Sequence, residues 1–385
     1  MNNPPSIKAL LTGGGSGGHV YPLVAVAQEL KRLAIEKGLI VELHYLGPND
    51  EYATTLQNET IELHSLVSGK LRRYFSLANI VDVPKFFFSF FQALAKVFWL
   101  MPDIVFSKGG TGALPVVFAG WFYRIPVVIH ESDAMPGLTN LLSSRFASRI
   151  AVSFERALNY FNQRKTACIG SPIRPKLLKD RPEKGAAKEE LGFDPKEPLL
   201  LILGGSQGSR RIDEFIVAHL PGLMKETQIL HQTGLAKYAE IEKLARAALM
   251  GVPIKTEVSH RYQALGYLDQ NMKAAFAAAD LVVSRAGSGT IFEIAAYAKP
   301  SILIPLLESA NDHQRVNAYE YAKTGAAIVI EESNLLPGIF LNQVRDVLKN
   351  KTLANKMSLA AGKFFKPGAA EIIAQEILAI TVGAT

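Results

Sequence analysis

At 385 residues the chain has room for two domains of roughly 100 to 200 residues each. Its 48% hydrophobic and 20% charged residues exclude a disordered, collagenous or coiled-coil chain. The 42 Lys plus Arg against 35 Asp plus Glu leave a formal charge of +7, spread over both halves without a recognised nucleic-acid motif, so nucleic acid is not an expected partner. One cysteine, Cys168, excludes an intramolecular disulfide. The opening Met1-Asn2-Asn3-Pro4-Pro5 lacks the basic-then-apolar pattern of a secretory signal, which sets a cytoplasmic expectation.

In chain order, short apolar runs alternate with longer helical patterns, the rhythm of parallel, doubly wound α/β sheets. Ile7 to Leu11 runs into Thr12-Gly13-Gly14-Gly15-Ser16-Gly17-Gly18-His19 and then into the helical pattern Leu23 to Leu30. Val41 to Leu46, Ile104 to Phe106, Val127 to Ile129 and Ile150 to Val152 continue the first half. The second opens alike, with Leu199 to Leu203 running into Gly204-Gly205-Ser206-Gln207-Gly208-Ser209-Arg210-Arg211, and continues at Leu281 to Val283, Ser301 to Ile304 and Ala327 to Ile330. The polar, Pro-containing stretch from Ser171 to Pro198 separates the halves. The expected domains are residues 1–168 and 169–364. The last helical pattern, Ala369 to Ile380, has no following strand, and residues 365–385 are assigned to the first domain.

The most apolar stretch, Phe86 to Met101 between Lys85 and Pro102, has 16 residues and includes Lys96, short of the roughly 20 that a spanning helix needs. Between Leu63 and Pro102, five basic residues (Lys70, Arg72, Arg73, Lys85, Lys96) face one acid, Asp82. Basic and aromatic residues together suit a helix lying on an anionic membrane surface. The alternative is a buried core helix with solvated lysines.

A glycine loop between a strand and a helix lets backbone N–H groups approach an anion, and the helix N-terminus adds partial positive charge. Both loops therefore suit phosphate or diphosphate. Gly13-x-Gly15-x-x-Gly18 matches the dinucleotide fingerprint in form, but no acidic residue closes the second strand, where Gly47-Pro48-Asn49-Asp50 follows. Neither loop ends in Gly-Lys-Ser/Thr, which excludes a Walker A loop. Gly204-x-Ser206-x-Gly208 also matches a hydrolase nucleophile elbow, with Asp280 or Asp312 and His313 downstream as triad partners. Zinc is poorly supported, because His130-Glu131 lacks the second His of His-Glu-x-x-His. His19, at the mouth of the first loop, is a candidate base for a hydroxyl proton. Arg285 and Glu293 flank a third glycine turn, Ala286-Gly287-Ser288-Gly289-Thr290. There a carboxylate can hold a ribose diol while amides hold phosphate.

Four segments together resemble the MurG family of bacterial glycosyltransferases: Thr12 to Pro22, Ile125 to Asp133 with Pro136 to Asn140, Leu203 to Arg210, and Ser284 to Glu293. The resemblance implies a GT-B fold, two Rossmann-like domains with a cleft between them. It also implies transfer of N-acetylglucosamine from UDP-N-acetylglucosamine to lipid I, forming lipid II, with no cofactor and no metal. His19 would be the catalytic base, with Ser16, Gly17 and Gly18 near the transferred sugar and the diphosphates. Asp133 and Asn140 match first-domain positions. Arg174 and Ser206 match donor diphosphate contacts, Leu268 lies beside the uracil, and Arg285 adjoins the nucleotide turn of Ser288, Gly289, Thr290, Ile291, Phe292 and Glu293. Glu293 takes the ribose and Gln314 reads the sugar. The family docks peripherally on the anionic inner face of the cytoplasmic membrane through the aromatic stretch with Trp121-Phe122. Other cell-wall enzymes are candidate partners. The chain departs from the family at Gly109-Gly110-Thr111-Gly112-Ala113, where Gly-Gly-Tyr-Val-Ser is common, at Asp133 in place of Asn, and at Ser16 in place of Thr.

Overall fold

The computed structural model describes residues 5–49, 51–67, 79–110, 112–205, 208–250, 261–268, 270–307 and 312–383. The chain divides into two compact units, Met1–Arg174 with Lys366–Thr385, and Pro175–Phe365. The first is built on β1 (Ser6–Thr12), β2 (Ile40–Gly47), β3 (Glu62–Ser65), β4 (Ile104–Ser107), β5 (Val127–Glu131), β6 (Arg149–Val152) and β7 (Thr166–Cys168). These form one parallel sheet in the order β3-β2-β1-β4-β5-β6-β7. The second holds β8 (Leu199–Leu203), β9 (Gln228–Gln232), β10 (Tyr262–Leu265), β11 (Leu281–Ser284), β12 (Ser301–Leu303) and β13 (Ala327–Val329). Its parallel order is β10-β9-β8-β11-β12-β13.

Central strands of such sheets are covered on both faces and read as unbroken apolar runs. Every residue of β4 and β8 is buried accordingly. In the first unit, Val20, Leu23, Ala27 and Leu30 of the helix Gly17–Glu36 pack on one sheet face together with Ile373, Ala374 and Ile377 of the C-terminal helix Ala369–Val382. Ala93, Val97, Val116 and Val117 cover the other face. A separate core fills the second unit, around Leu200, Ile202, Ile216, Ile229, Val283 and Phe340.

The first unit runs past the expected limit at residue 168. Ile169 donates its N–H to the Val152 carbonyl at 3.0 Å, continuing the β6 pairing, and the Arg174 guanidinium lies 4.6 Å over the Tyr21 ring. Those contacts put Arg174 in the first unit, whereas the sequence assigned it to the second domain. In each sheet the strand order reverses at one place, with β1 between β2 and β4 and β8 between β9 and β11. Ligands of doubly wound sheets bind outside the carboxyl ends of strands at this switch point. Both glycine loops leave from there.

Candidate active site

In the first unit, the chain leaves β1 through Gly14 and Gly15, with φ of 135° and 87°, a region that side chains rarely allow. The loop after β4 meets it. Gly110 has φ of 86°, and a Cβ there would stand 2.5 Å from the Gly14 carbonyl oxygen and 3.3 Å from the His19 ring. His19 is the third residue of the helix Gly17–Glu36. Its Nδ1 shares a 3.0 Å hydrogen bond with Ser16 Oγ. In the tautomer with hydrogen on Nδ1 donating to Ser16, Nε2 is the basic nitrogen.

Behind these loops lies a buried polar network at the ends of β4 and β5. Lys108 is 1% exposed and donates from Nζ to Ser132 Oγ at 2.7 Å. Burial pushes its pKa down, against the opposing pull of Glu131 and Asp133. The Glu131 carboxylate accepts from the N–H of Asp133 (2.8 Å), the N–H of Gly137 (3.1 Å) and Asn140 Nδ2 (2.9 Å). Burial, then the Asp133 charge, raises its pKa, while Lys108 and the hydrogen bonds from Asp133 and Asn140 lower it. Asn140 Nδ2 also donates to the His130 carbonyl at 3.2 Å, and a Cβ on Gly109 would stand 2.7 Å from Asn140 Oδ1. His130 Nε2 donates to the Gly170 carbonyl at 3.1 Å. Burial, reinforced by Lys108, drives its pKa well below 6.5, so the ring is neutral.

In the second unit, Gly205 and Gly208 have φ of 91° and 70°, and a Cβ on Gly208 would overlap the Thr233 carbonyl. Gln232, at the end of β9, donates to the Gly205 carbonyl at 3.0 Å and accepts from the Leu268 N–H at 3.2 Å, fixing one loop against the other. Arg285, just past β11, donates to Ser209 Oγ at 2.7 Å and to the Ile304 carbonyl at 3.1 Å, and pairs with the buried Glu332. Next, Gly287 caps the helix Ser288–Ala296. Its Ser288, Gly289 and Thr290 N–H groups have no intrahelical acceptor by position. Ile291 and Phe292 are fully buried, with the Phe292 ring 5.0 Å from Phe364. Any contact these two make with a nucleotide is therefore through backbone. Glu293 lies half-buried one turn further along. Gln314 Oε1 accepts the Leu306 N–H at 3.1 Å.

Comparison with known proteins converges on one group. Residues 9–152 match the glycosyltransferase family 28 N-terminal domain, and residues 199–373 match the glycosyltransferase family 28 C-terminal domain. The UDP-N-acetylglucosamine--N-acetylmuramyl-(pentapeptide) pyrophosphoryl-undecaprenol N-acetylglucosamine transferase 2 of Bacillus cereus is 36% identical over 348 residues, 90% of this chain and 93% of that protein. The corresponding transferase of Legionella pneumophila is 37% identical over 354 residues, 90% of each chain. The chain belongs to the MurG family. The crystal structure of Acinetobacter baumannii MurG superposes with a TM-score of 0.73 at 26% identity, covering 97% of this chain and 99% of that one. The fold is accordingly of GT-B type, and the protein is a glycosyltransferase.

The N-terminal unit contains Ser16, Gly17, Gly18, His19, Asp133, Asn140 and Arg174. Leu268, Arg285, Ser288 to Glu293 and Gln314 belong to the C-terminal unit. Ser206 and Thr111 lie outside the described residues. The hydrolase alternative loses Asp280. That carboxylate accepts from Lys188 Nζ at 2.8 Å and the Leu199 N–H at 2.9 Å, at the amino ends of β8 and β11, whereas Ser206 follows the carboxyl end of β8. Sequence reasoning missed Lys108, Gln232 and Glu332. A lysine closing an apolar strand before Gly109-Gly110 was the one available signal.

The aromatic stretch forms the helix Asn79–Leu100. Ser89, Ala93 and Val97 are buried on one side, while Phe87, Phe88, Phe91, Phe98 and Trp99 are exposed, Trp99 to 84%. The buried-core alternative fails for these rings. Lys70, Arg72 and Arg73 lie outside the described residues, as does the Asp82 side chain. Among the described residues, no helix is long and apolar enough to cross a membrane.

Proposed function

We infer that this protein transfers N-acetylglucosamine from UDP-N-acetylglucosamine to the 4-hydroxyl of the muramoyl sugar of lipid I, forming lipid II. The observation that carries this reading is family membership along nearly the whole chain, at 36% identity over 90% of it. The C-terminal unit takes the donor. Its Ser288, Gly289 and Thr290 N–H groups face the diphosphate, Glu293 the ribose, Leu268 the uracil, and Gln314 the sugar. The N-terminal unit takes the acceptor, and Arg174, held over Tyr21, offers a fixed cation to a diphosphate. In the reaction, the acceptor oxygen bonds to the anomeric carbon from the face opposite the diphosphate. The bond from that carbon to the β-phosphate oxygen breaks, and its electron pair leaves with UDP. The hydroxyl proton passes to His19 Nε2 in the tautomer whose Nδ1–H donates to Ser16 Oγ, 3.0 Å away. Preorganised amides stabilise the charge that develops on UDP. The exposed aromatics of the helix Asn79–Leu100, beside Lys85, support peripheral docking on an anionic membrane face.

The test is transfer of labelled N-acetylglucosamine from its UDP donor to a lipid I analogue, with EDTA present. Labelled lipid II is the expected product. Donor binding by calorimetry without any product would overturn the acceptor assignment. His19→Ala is expected to cut turnover by about 10²- to 10⁴-fold, the usual worth of a general base, while donor affinity stays unchanged. Near-normal turnover removes His19 as the base.

A further inference from the structure

We propose that His44, Glu62 and His64 form a site for one divalent transition-metal ion of the zinc class, clamping β3 to β2. The strands are parallel and in register, with His44 opposite Glu62 and Leu46 opposite His64. Residues two apart on a strand share a face, so the three side chains stand together. The two rings stack with centroids 5.5 Å apart and planes 26° apart. His44 Nδ1 lies 3.2 Å from His64 Nε2. Glu62 Oε2 is 3.3 Å from His44 Nδ1, and Glu62 Oε1 is 3.5 Å from His64 Nε2. One donor atom from each residue falls within 4.8 Å of the others.

Those separations fit a shared ion. Ligands about 2.0–2.1 Å from zinc at tetrahedral angles stand about 3.3 Å from one another. A hydrogen bond between two neutral rings spends one N–H and one lone pair at the facing nitrogens. It leaves the carboxylate approaching both nitrogens with no hydrogen for one of them. A cation at the centre satisfies all three lone pairs at once. Two imidazoles and a carboxylate are a ligand set that zinc accepts, with water in the remaining position.

The outer contacts fit as well. His44 is 7% exposed, its Nε2 is buried without a hydrogen-bond partner, and Glu42 Oε2 stands 3.9 Å away. A metal on Nδ1 places the hydrogen on Nε2, facing that carboxylate, which is the usual second partner of a ligating histidine. Glu62 is exposed and His64 half-buried, which gives an ion its way in. The clamp would sit on an edge strand of four residues, where ladder pairing on one side alone holds the chain.

The experiment uses untagged full-length protein, stripped with a chelator and dialysed. It is titrated with zinc(II) by calorimetry and with cobalt(II) by visible absorption. One equivalent of zinc, a tetrahedral cobalt spectrum bleached by zinc, and a Tm raised by zinc are expected. His64→Ala and Glu62→Gln, at a half-buried and an exposed position, should each weaken binding at least tenfold and abolish the spectrum while keeping the far-UV circular dichroism of the parent. A parent without a cobalt spectrum overturns the proposal, as does a His64→Ala variant that binds like the parent. Neither outcome depends on glycosyl transfer.

Discussion

His130 has no exposed surface, and its folded pKa, driven well below 6.5 by burial and then by Lys108, ties stability to pH. Below 6.5 the unfolded chain binds a proton that the native ring refuses. Stability is therefore complete above the unfolded pKa and is lost as pH falls below it, by up to about 1.4 kcal/mol per pH unit. Urea unfolding between about pH 7 and pH 5.5 should show this loss, and His130→Gln, whose amide nitrogen takes the place of Nε2 and keeps a donor for Gly170, should remove that share of the slope. Parallel curves for the two proteins would contradict the assignment. Glycines made much of the site legible at this scale, because they mark the turns from which Ser16, His19, Arg285 and Ser288 project. Lys108 and Gln232 escaped notice because their partners come from other strands: Ser132 from beyond β5 for one, Gly205 and Leu268 for the other. No local spacing encodes such pairs. The same holds for His44, Glu62 and His64, which come together across two strands and so carry no spacing of the His-Glu-x-x-His kind.

Elements were legible where they were central. Leu199–Leu203 has the expected bounds, and the other central strands differ from expectation by a residue or two at their ends. β3, β7 and β10 were missed because they are short edge strands, with a single neighbour each and no need of an apolar run. β9 was missed although it is fully buried, because its polar side chains are satisfied inside. Gln228 donates to the Asp194 carbonyl at 2.9 Å, and His231 Nε2 bonds Asp213 at 3.1 Å. The interlocking of the loops after β1 and β4 is a property of elements, and it can be broken at one atom. Gly110→Ala adds a Cβ 2.5 Å from the Gly14 carbonyl at φ of 86°, a conformation that costs a side chain about 1–3 kcal/mol before any clash. The variant should unfold at a lower temperature and lose turnover, because the Gly14 turn and the His19 ring must both shift. Gly137→Ala is the control, since its φ is −68° and a Cβ there meets nothing within 4 Å. Equal Tm and turnover in the two variants would show that the loops do not depend on this approach.

At the scale of the whole molecule, one face stands apart. The aromatics of the helix Asn79–Leu100 are joined by Trp121 and Phe122 at the end of the helix Ala113–Phe122. Phe118 lies 5.6 Å from Trp121, and Phe98 lies 5.9 Å from Tyr123. Phe87 is 61% exposed and Phe91 72%, and a contiguous apolar surface of this kind marks an interaction site. The acceptor proposed here carries its sugar on a lipid, so its headgroup is presented at a bilayer surface, and an enzyme with exposed aromatics gains by resting there. Fully burying one large apolar side chain contributes about 1.5–3 kcal/mol, so even partial insertion of three rings is worth more than tenfold in affinity. The triple variant Phe87→Ser, Phe91→Ser, Trp99→Ser should sediment with anionic vesicles at least about tenfold more weakly than the parent. It should also transfer poorly to bilayer-embedded lipid I while retaining parental turnover on a water-soluble analogue. The split between the two acceptors is the decisive readout, because damage to the fold lowers both activities together, whereas loss of docking lowers only the one that needs the membrane. Unchanged sedimentation would leave this face to a protein partner instead of a lipid one.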